Sequence, residues 1–394
     1  MSFDRRSLMA NLAMLSAGSA LVPHPAKAVG LDAAGDPLAE AMAKLATTLS
    51  GFPDAYPGLR APASELDRAE GYRLFLRYLT IGIDTFVQYS DPLFPAFFQA
   101  TRDGVRKFAG DSPEQLYDKA AISGGHDYLV TGSLRDVALI EFGIYSGGLY
   151  AGADRRRLID SLTERDLRVQ SNGEFKVRLS RSERGPNVLR LTPDASSIVV
   201  RRYLRDPISN HPPPLAIHRM SGDAQLQPLD TADLAKSIER AGNFALWNVQ
   251  TWAKWMANNR DRQRNSLAPM PDEGDIYTPA GHRYLSGYWQ LPPGKALLVS
   301  FVPSSDSYWS FVPMNFWMES FEWRFGNRVF ASKYTTQPDR DGVVRLALGP
   351  VDPKVPGVPW IETMGHSEGG MVLRIARHEG PMPSADCQLI GVTA

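Results

Sequence analysis

The aromatic segment from Asn315 to Phe325 carries the strongest indication of chemistry in this sequence. It reads NFWMESFEWRF, so alternate positions are occupied by Asn315, Trp317, Glu319, Phe321 and Trp323. In an extended chain successive side chains point to opposite faces, which places these residues on one face. A carboxylate among aromatic rings loses hydration, and its pKa rises towards the range useful to a general acid. The segment therefore predicts Glu319 as a catalytic acid, with Asn315, Trp317 and Trp323 as ligand contacts.

The same pattern has two alternative interpretations that involve no catalysis. Exposed aromatic rings can stack on a sugar or on a planar organic ring, which would make this face a binding surface. Buried aromatic rings can instead fill the core of a β-sandwich. Glu319 would then need a structural partner, either a backbone N–H or an arginine such as Arg374. The residues alone leave these alternatives open.

His366 is the histidine that we predict to share the acid–base chemistry with Glu319. It lies in the motif GHSEG, and an imidazole titrates near neutral pH. A hydrogen-bonded structural histidine is the alternative interpretation. The histidines show no H-x-H, H-x-x-x-H or Cys/His spacing, so we predict no metal site. The sequence also lacks a phosphate loop and a dinucleotide fingerprint, so we predict no organic cofactor.

Two segments near the C-terminus resemble a known family. They read YWSFVPMNFWMESFEWRF (308–325) and DPKVPGVPWIETMGHSEGGMVLR (352–374). Both resemble the domain of unknown function 1214 family, which recurs in bacterial chains, often beside a partner domain numbered 1254. The resemblance implies a jelly-roll-like β architecture and no particular chemistry. Relatives usually have Asn-Trp where this chain has Pro359-Trp360. We include Trp360 and Arg374 of these segments among the predicted ligand contacts.

The elements that position these residues are two β segments and a helix between them. Short runs with a period of two, such as Ser197 to Leu204, are separated by Gly, Asn, Asp and Pro, which is typical of an antiparallel sandwich. Thr231 to Asn259 has apolar residues at helical spacing. We therefore predict a mainly β fold with α: an antiparallel, jelly-roll-like β-sandwich with an N-terminal helical layer and one long helix between two β segments.

The predicted boundaries follow from the same patterns. They give a signal peptide at 1–28, an N-terminal helical region at 29–110, a first β segment at 111–229, a helix and linker at 230–265, and a C-terminal β domain at 266–394.

Arg201 and Arg202 are adjacent on a predicted strand. Because side chains alternate along a strand, we expect one of them to point into the fold and the other to point out. An inward arginine needs a carboxylate partner, which can belong either to the protein or to a ligand.

The N-terminus indicates export. Arg5 and Arg6 precede an apolar run from Met9 to Leu21, and Ala26-Lys27-Ala28 is a small-x-small cleavage site. This pattern predicts a signal peptide of the twin-arginine type, too short for a stable membrane span, and a periplasmic protein that begins at Val29. The chain has 43 basic and 43 acidic residues, which argues against nucleic acid as a partner. The oligomeric state is left open.

These observations predict an exported enzyme that acts on a small hydroxylated, ring-containing organic compound. It would use side-chain acid–base chemistry without a cofactor, as a lyase or hydrolase does. The alternative is a non-catalytic periplasmic protein that binds a carbohydrate or a hydrophobic ligand. A structural or envelope-interaction protein is the third hypothesis. A cleft shared by Glu319 and His366 would favour the first, and an aromatic groove without such a pair would favour the second.

Overall fold

The described part of the chain contains four β-sheets and three α-helices. The computed structural model describes residues 35–102, 104–147, 156–220, 222, 228–270, 281–303, 307–378 and 383–392. Two pairs of sheets enclose separate apolar cores, and the helices form a third layer. This arrangement confirms the predicted fold class. The predicted signal peptide lies outside the described residues.

The helical layer is built from helices with clear start signals. Its members are Pro37–Ala55 (α1), Glu65–Ile83 (α2) and Thr231–Arg262 (α3), with a short 3₁₀ turn at Tyr56–Leu59 and a π turn at Asp84–Gln88.

A side-chain oxygen caps the first turn of each of these three helices. Ser64 Oγ accepts from the N–H of Asp67 at 2.9 Å, and Asp230 Oδ1 accepts from the N–H of Asp233 at 2.9 Å. Asp36, which precedes α1, accepts from the N–H of Leu38 in the same way. Both α1 and α2 pack against α3, which confirms that α3 has a buried apolar stripe. No helix in the described part of the chain is both long and apolar enough to cross a membrane.

The first sandwich contains residues 98–219. One sheet has the strand order β1-β2-β8-β4-β5 and the facing sheet has the order β7-β6-β3-β9. The strands are Phe98–Gln99 (β1), Gln115–Ala121 (β2), Tyr128–Ser133 (β3), Leu139–Ser146 (β4), Arg157–Thr163 (β5), Glu174–Ser180 (β6), Val188–Arg190 (β7), Ala195–Tyr203 (β8) and Ala216–Arg219 (β9). Branched and aromatic side chains from both sheets fill the core between them.

The second sandwich contains residues 266–391. Its sheets have the orders β10-β11-β17-β13-β14 and β16-β15-β12-β18. The strands are Ser266–Pro269 (β10), His282–Gln290 (β11), Lys295–Phe301 (β12), Tyr308–Pro313 (β13), Ala331–Ser332 (β14), Val344–Gly349 (β15), Trp360–Glu362 (β16), Glu368–Ala376 (β17) and Ala385–Gly391 (β18). The outer face of the first of these sheets packs on the helical layer through Tyr288, Val312 and Val372.

The two sandwiches also contact each other directly. Tyr203 of β8 packs edge-on against Tyr308 of β13, with ring centroids 5.0 Å apart. Glu114 accepts hydrogen bonds from the hydroxyls of Tyr308 at 2.7 Å and Ser332 at 2.6 Å. Burial raises the pKa of Glu114 to about 7. Residues of α3 and of both sandwiches also line one interior cavity, which is described below.

Candidate functional site

The segment after β13 is a turn, so the prediction of one extended aromatic face is wrong. Asn315 Oδ1 accepts hydrogen bonds from the N–H groups of Trp317 and Glu319, both at 3.0 Å. Met318 has a φ of 58°, in the left-handed region. The side chain of Asn315 thus accepts the backbone hydrogen bonds that a neighbouring strand would otherwise accept. The alternation of residue types along the segment does not indicate such a local hydrogen bond.

Glu319 is buried, with 1% of its surface exposed. Two arginines of α2 bind its carboxylate. Arg73 Nη2 lies 3.1 Å from Oε2, and Arg77 Nη1 contacts Oε1. The aromatic rings near it are core residues, so the ion-paired alternative describes Glu319 better than the general-acid prediction does. Its arginine partners are Arg73 and Arg77 of the helical layer and not Arg374, the partner suggested by the sequence.

His366 lies near Glu319 and is also engaged. Its Nε2 is 2.9 Å from Glu70 Oε2, and its Nδ1 is 3.1 Å from the carbonyl oxygen of Thr363. Burial by itself lowers the pKa of His366, but the hydrogen bond and charge of Glu70 outweigh it, so the pKa is raised. Burial opposes ionisation of Glu70 in turn, yet its contacts with His366 and Arg73 leave the pKa of Glu70 lowered. Both shifts favour an imidazolium–carboxylate pair.

Glu70 and Asn315 join the two predicted catalytic residues into one network. Asn315 Nδ2 donates to Glu70 Oε2 at 2.7 Å and to Glu319 Oε2 at 3.3 Å. We call this network, formed by Asp67, Glu70, Arg73, Arg77, Asn315, Glu319 and His366, the paired cluster. The residues that α2 contributes to this cluster were not predicted from the sequence. The signal was there, because Glu70, Arg73 and Arg77 recur at intervals of three and four residues on a helix with a buried apolar face.

Part of the paired cluster could hold a metal ion. One ligand atom from each of Asp67, Glu70 and His366 lies within 4.8 Å of the others. However, two of these three ligands are already paired with each other, and Glu70 and Glu319 also contact Arg73 and Arg77. The carboxylate of Asp67 is bound by the hydroxyl of Ser64 through Oδ2, whereas its Oδ1 has no hydrogen-bond partner among the described residues. Neither of the two large cavities described below is lined by Glu319 or His366. We therefore assign the cluster a structural role, which locks α2 onto the second sandwich.

A cavity of about 170 Å³ lies between the two sandwiches and α3. We call it the central cavity. Aromatic rings form much of its wall: Phe108, Tyr117, Trp247, Trp252, Trp255 and Tyr284. Four basic side chains also line it: Lys119, Arg156, Arg201 and Arg374. No Asp or Glu is among the described residues of this wall.

Strand register explains how the first sandwich contributes to this wall. Tyr117 of β2 pairs with Arg201 of β8, and Lys119 pairs with Val199. Positions two apart share a face, so these four residues lie on one side of the sheet. That side faces the central cavity.

Arg202 takes the opposite face and is equally buried, so the expectation that one of the two arginines points outward is wrong. Its guanidinium holds Asp118 through Nε at 2.8 Å and Nη2 at 3.0 Å. Arg201 is less completely paired. Its Nη1 lies 3.6 Å from Glu141, a carboxylate that Arg377 also contacts at 3.3 Å. An arginine that faces the cavity thus shares its carboxylate with a second cation.

Arg374 enters the central cavity from the second sandwich. It lies opposite Tyr284 in the pairing of β17 with β11, and its guanidinium is 5.5 Å from that ring's centroid. Only 4% of Arg374 is exposed. Nη2 donates to the carbonyl oxygen of Gly110 at 2.8 Å, whereas Nε and Nη1 have no hydrogen-bond partner among the described residues. A predicted ligand contact is therefore a cavity arginine with unused donors.

The three predicted tryptophan contacts lie apart from one another. Trp317 is in the core of the helical layer, where its Nε1 donates to the carbonyl oxygen of Asp67 at 2.7 Å. Trp360 donates to the carbonyl oxygen of Gly349 at 2.9 Å. Trp323 lines a second and larger cleft of about 800 Å³, beside β1 and β2. The structure does not bring these three together with Arg374.

Comparison with known proteins adds a fold relative and no activity. A crystal structure of an uncharacterized protein from Burkholderia cenocepacia matches 91% of this chain and 98% of its own, with 26% identity and a TM-score of 0.80. A crystal structure of a protein from Vibrio parahaemolyticus matches 82% of this chain and 97% of its own, with 10% identity and a TM-score of 0.46. No protein-family model and no curated protein matches the chain. The resemblance to the 1214 family thus stays a prediction.

Proposed function

We propose that this protein binds a small organic anion, a carboxylate with an apolar ring-sized body, in the central cavity. One observation carries the proposal. Arg374 is almost fully buried, and its Nε and Nη1 have no hydrogen-bond partner among the described residues. It lies in a wall whose described residues include four basic and no acidic side chains. A buried cation without a counter-charge is costly, and a planar guanidinium matches a carboxylate in geometry as well as charge.

Size and wall chemistry support the same ligand class. An engineered apolar cavity of about 150 Å³ accepts benzene, so about 170 Å³ holds one ring with a short acidic arm. Trp252, Trp255 and Tyr284 offer ring faces for the apolar part of the ligand. The carboxylate would lie at Arg201 and Arg374, which come from different sandwiches.

The proposal is closer to the ligand-binding hypothesis than to the acid–base enzyme. Catalysis through Glu319 and His366 is the weaker proposal, because both side chains are held by charged partners and neither lines one of the two cavities. A periplasmic location remains part of the proposal on the strength of the N-terminal sequence.

Calorimetric titration with matched ligands tests the proposal. Benzoate and 3-phenylpropionate should bind, whereas the amides of the same shape should bind at least tenfold more weakly, because only the acids can pair with Arg374. Arg374→Met should cost about 2–5 kcal/mol of binding free energy. Arg345→Met, at an arginine outside the cavity, is the matched control and should leave affinity unchanged. Equal affinity for acids and amides would refute the assignment.

A further inference from the structure

Lys119 is the one primary amine among the described residues of the central cavity. It is 6% exposed, and its Nζ lies 5.0 Å from the centroid of the Phe108 ring. Its neighbours in the wall include Arg156 and Arg201. An amine in this setting is desolvated and surrounded by positive charge. Both conditions favour the neutral, nucleophilic form over the ammonium.

A second buried lysine lies outside this cavity. Lys107 is 5% exposed and is not among the residues that line the central cavity, so a ligand bound there does not reach its Nζ. Burial lowers the pKa of both lysines, yet Arg156 and Arg201 lower that of Lys119 further, whereas the nearby Asp111 opposes the change at Lys107.

We propose that Lys119 forms a reversible imine with an oxo acid held in the central cavity. This inference rests on the proposed function and narrows its ligand class from carboxylates to carboxylates that also carry a ketone or aldehyde. The arginines bind the carboxylate, and the carbonyl carbon is then presented to Lys119. The aromatic walls exclude water, which favours the imine over hydrolysis.

The step balances without an added reagent. The lone pair of the neutral Nζ attacks the carbonyl carbon and forms the C–N bond. The two N–H protons move to the carbonyl oxygen, which leaves as water when the C–O bond breaks. The product is a C=N bond, and no atom changes its oxidation state overall. As in other lysine enzymes, the imine could then act as an electron sink for the bound ligand.

Reductive trapping tests this inference directly. The full chain is incubated with phenylpyruvate, or with the smaller pyruvate, and sodium cyanoborohydride, and the modified lysine is located by peptide mass spectrometry. We expect an added mass equal to the ligand less one oxygen atom, on Lys119 and not on Lys107. An excess of 3-phenylpropionate, which has no carbonyl group, should suppress the labelling at least tenfold. Lys119→Met should abolish it, with a melting curve to show that the variant is folded.

The outcomes separate the two proposals. If 3-phenylpropionate binds by calorimetry but neither oxo acid labels Lys119, the imine is refuted and anion binding stands. If labelling spreads evenly over surface lysines such as Lys44, or persists after Lys119→Met, the imine at this site is refuted as well. If no acid binds and nothing is trapped, both proposals fail. Should the Met variant not fold, suppression by 3-phenylpropionate in the native chain decides the question.

Discussion

The paired cluster and the central cavity both bury several charged side chains, but they differ in whether those charges are compensated. In the paired cluster, Glu319 and Glu70 each contact a cation within 3.1 Å. In the central cavity, the described wall contains basic side chains and no acid, and Nε and Nη1 of Arg374 have no hydrogen-bond partner among the described residues. A network of paired charges stabilises the fold, whereas a buried charge with unused donors beside a cavity is suited to a ligand. Burial of titratable groups alone therefore does not identify the site.

The largest stability effect should come from breaking the paired cluster. Glu319→Gln keeps the shape but removes the charge that holds Arg73 and Arg77, and we expect a loss of about 2–3 kcal/mol in the free energy of unfolding. The value lies below that of a fully buried pair because Arg73 is half exposed. Urea denaturation measures it. Lys44→Gln, which breaks an exposed pair with Glu239, is the control and should leave the midpoint unchanged. An unchanged midpoint for Glu319→Gln would contradict a structural role.

A substitution in the central cavity should have a smaller effect on the free energy of unfolding, and of opposite sign. Arg374→Met removes a buried, partly unpaired charge and replaces it with an apolar side chain, so the ligand-free protein should gain about 1 kcal/mol of stability. The same denaturation experiment tests this. A loss of stability comparable to that of Glu319→Gln would show that Arg374 is a structural residue. The two regions would then not differ in the way proposed.

The smallest expected effect is the change of stability with pH that arises from His366 and Glu70 of the paired cluster. The folded state raises the pKa of His366, so its contribution is complete below about pH 6.5 and is lost as the pH rises through the raised value. The pKa of Glu70 is lowered in the folded state, so its contribution to stability is complete above about pH 4.5 and is lost as the pH falls through the lowered value. Melting temperature should therefore decline gradually above neutral pH. In His366→Gln the alkaline part of this decline should be reduced, and an identical profile would argue against the imidazolium–carboxylate pair.

Local patterns of the sequence predicted the elements well. The mainly β class followed from short runs with a period of two, and the apolar spacing from Thr231 to Asn259 predicted the helix that the structure extends to Arg262. These features depend on residues within a few positions of each other. The prediction of an extended aromatic segment was wrong for an equally local reason, because the side chain of Asn315 accepts hydrogen bonds from two backbone N–H groups and the chain turns there.

The two regions themselves were decided only by the tertiary structure. Glu319 was predicted as a catalytic acid, but the two arginines that bind it, Arg73 and Arg77, are 246 and 242 positions away on α2. Arg374 was among the predicted contacts, yet its uncompensated charge depends on which side chains the first sandwich and α3 bring against it. Whether a charge is paired depends on distances across the whole fold, and one-dimensional spacing does not contain them. Sequence thus determined which residues were chemically capable, and packing determined which of them are already satisfied.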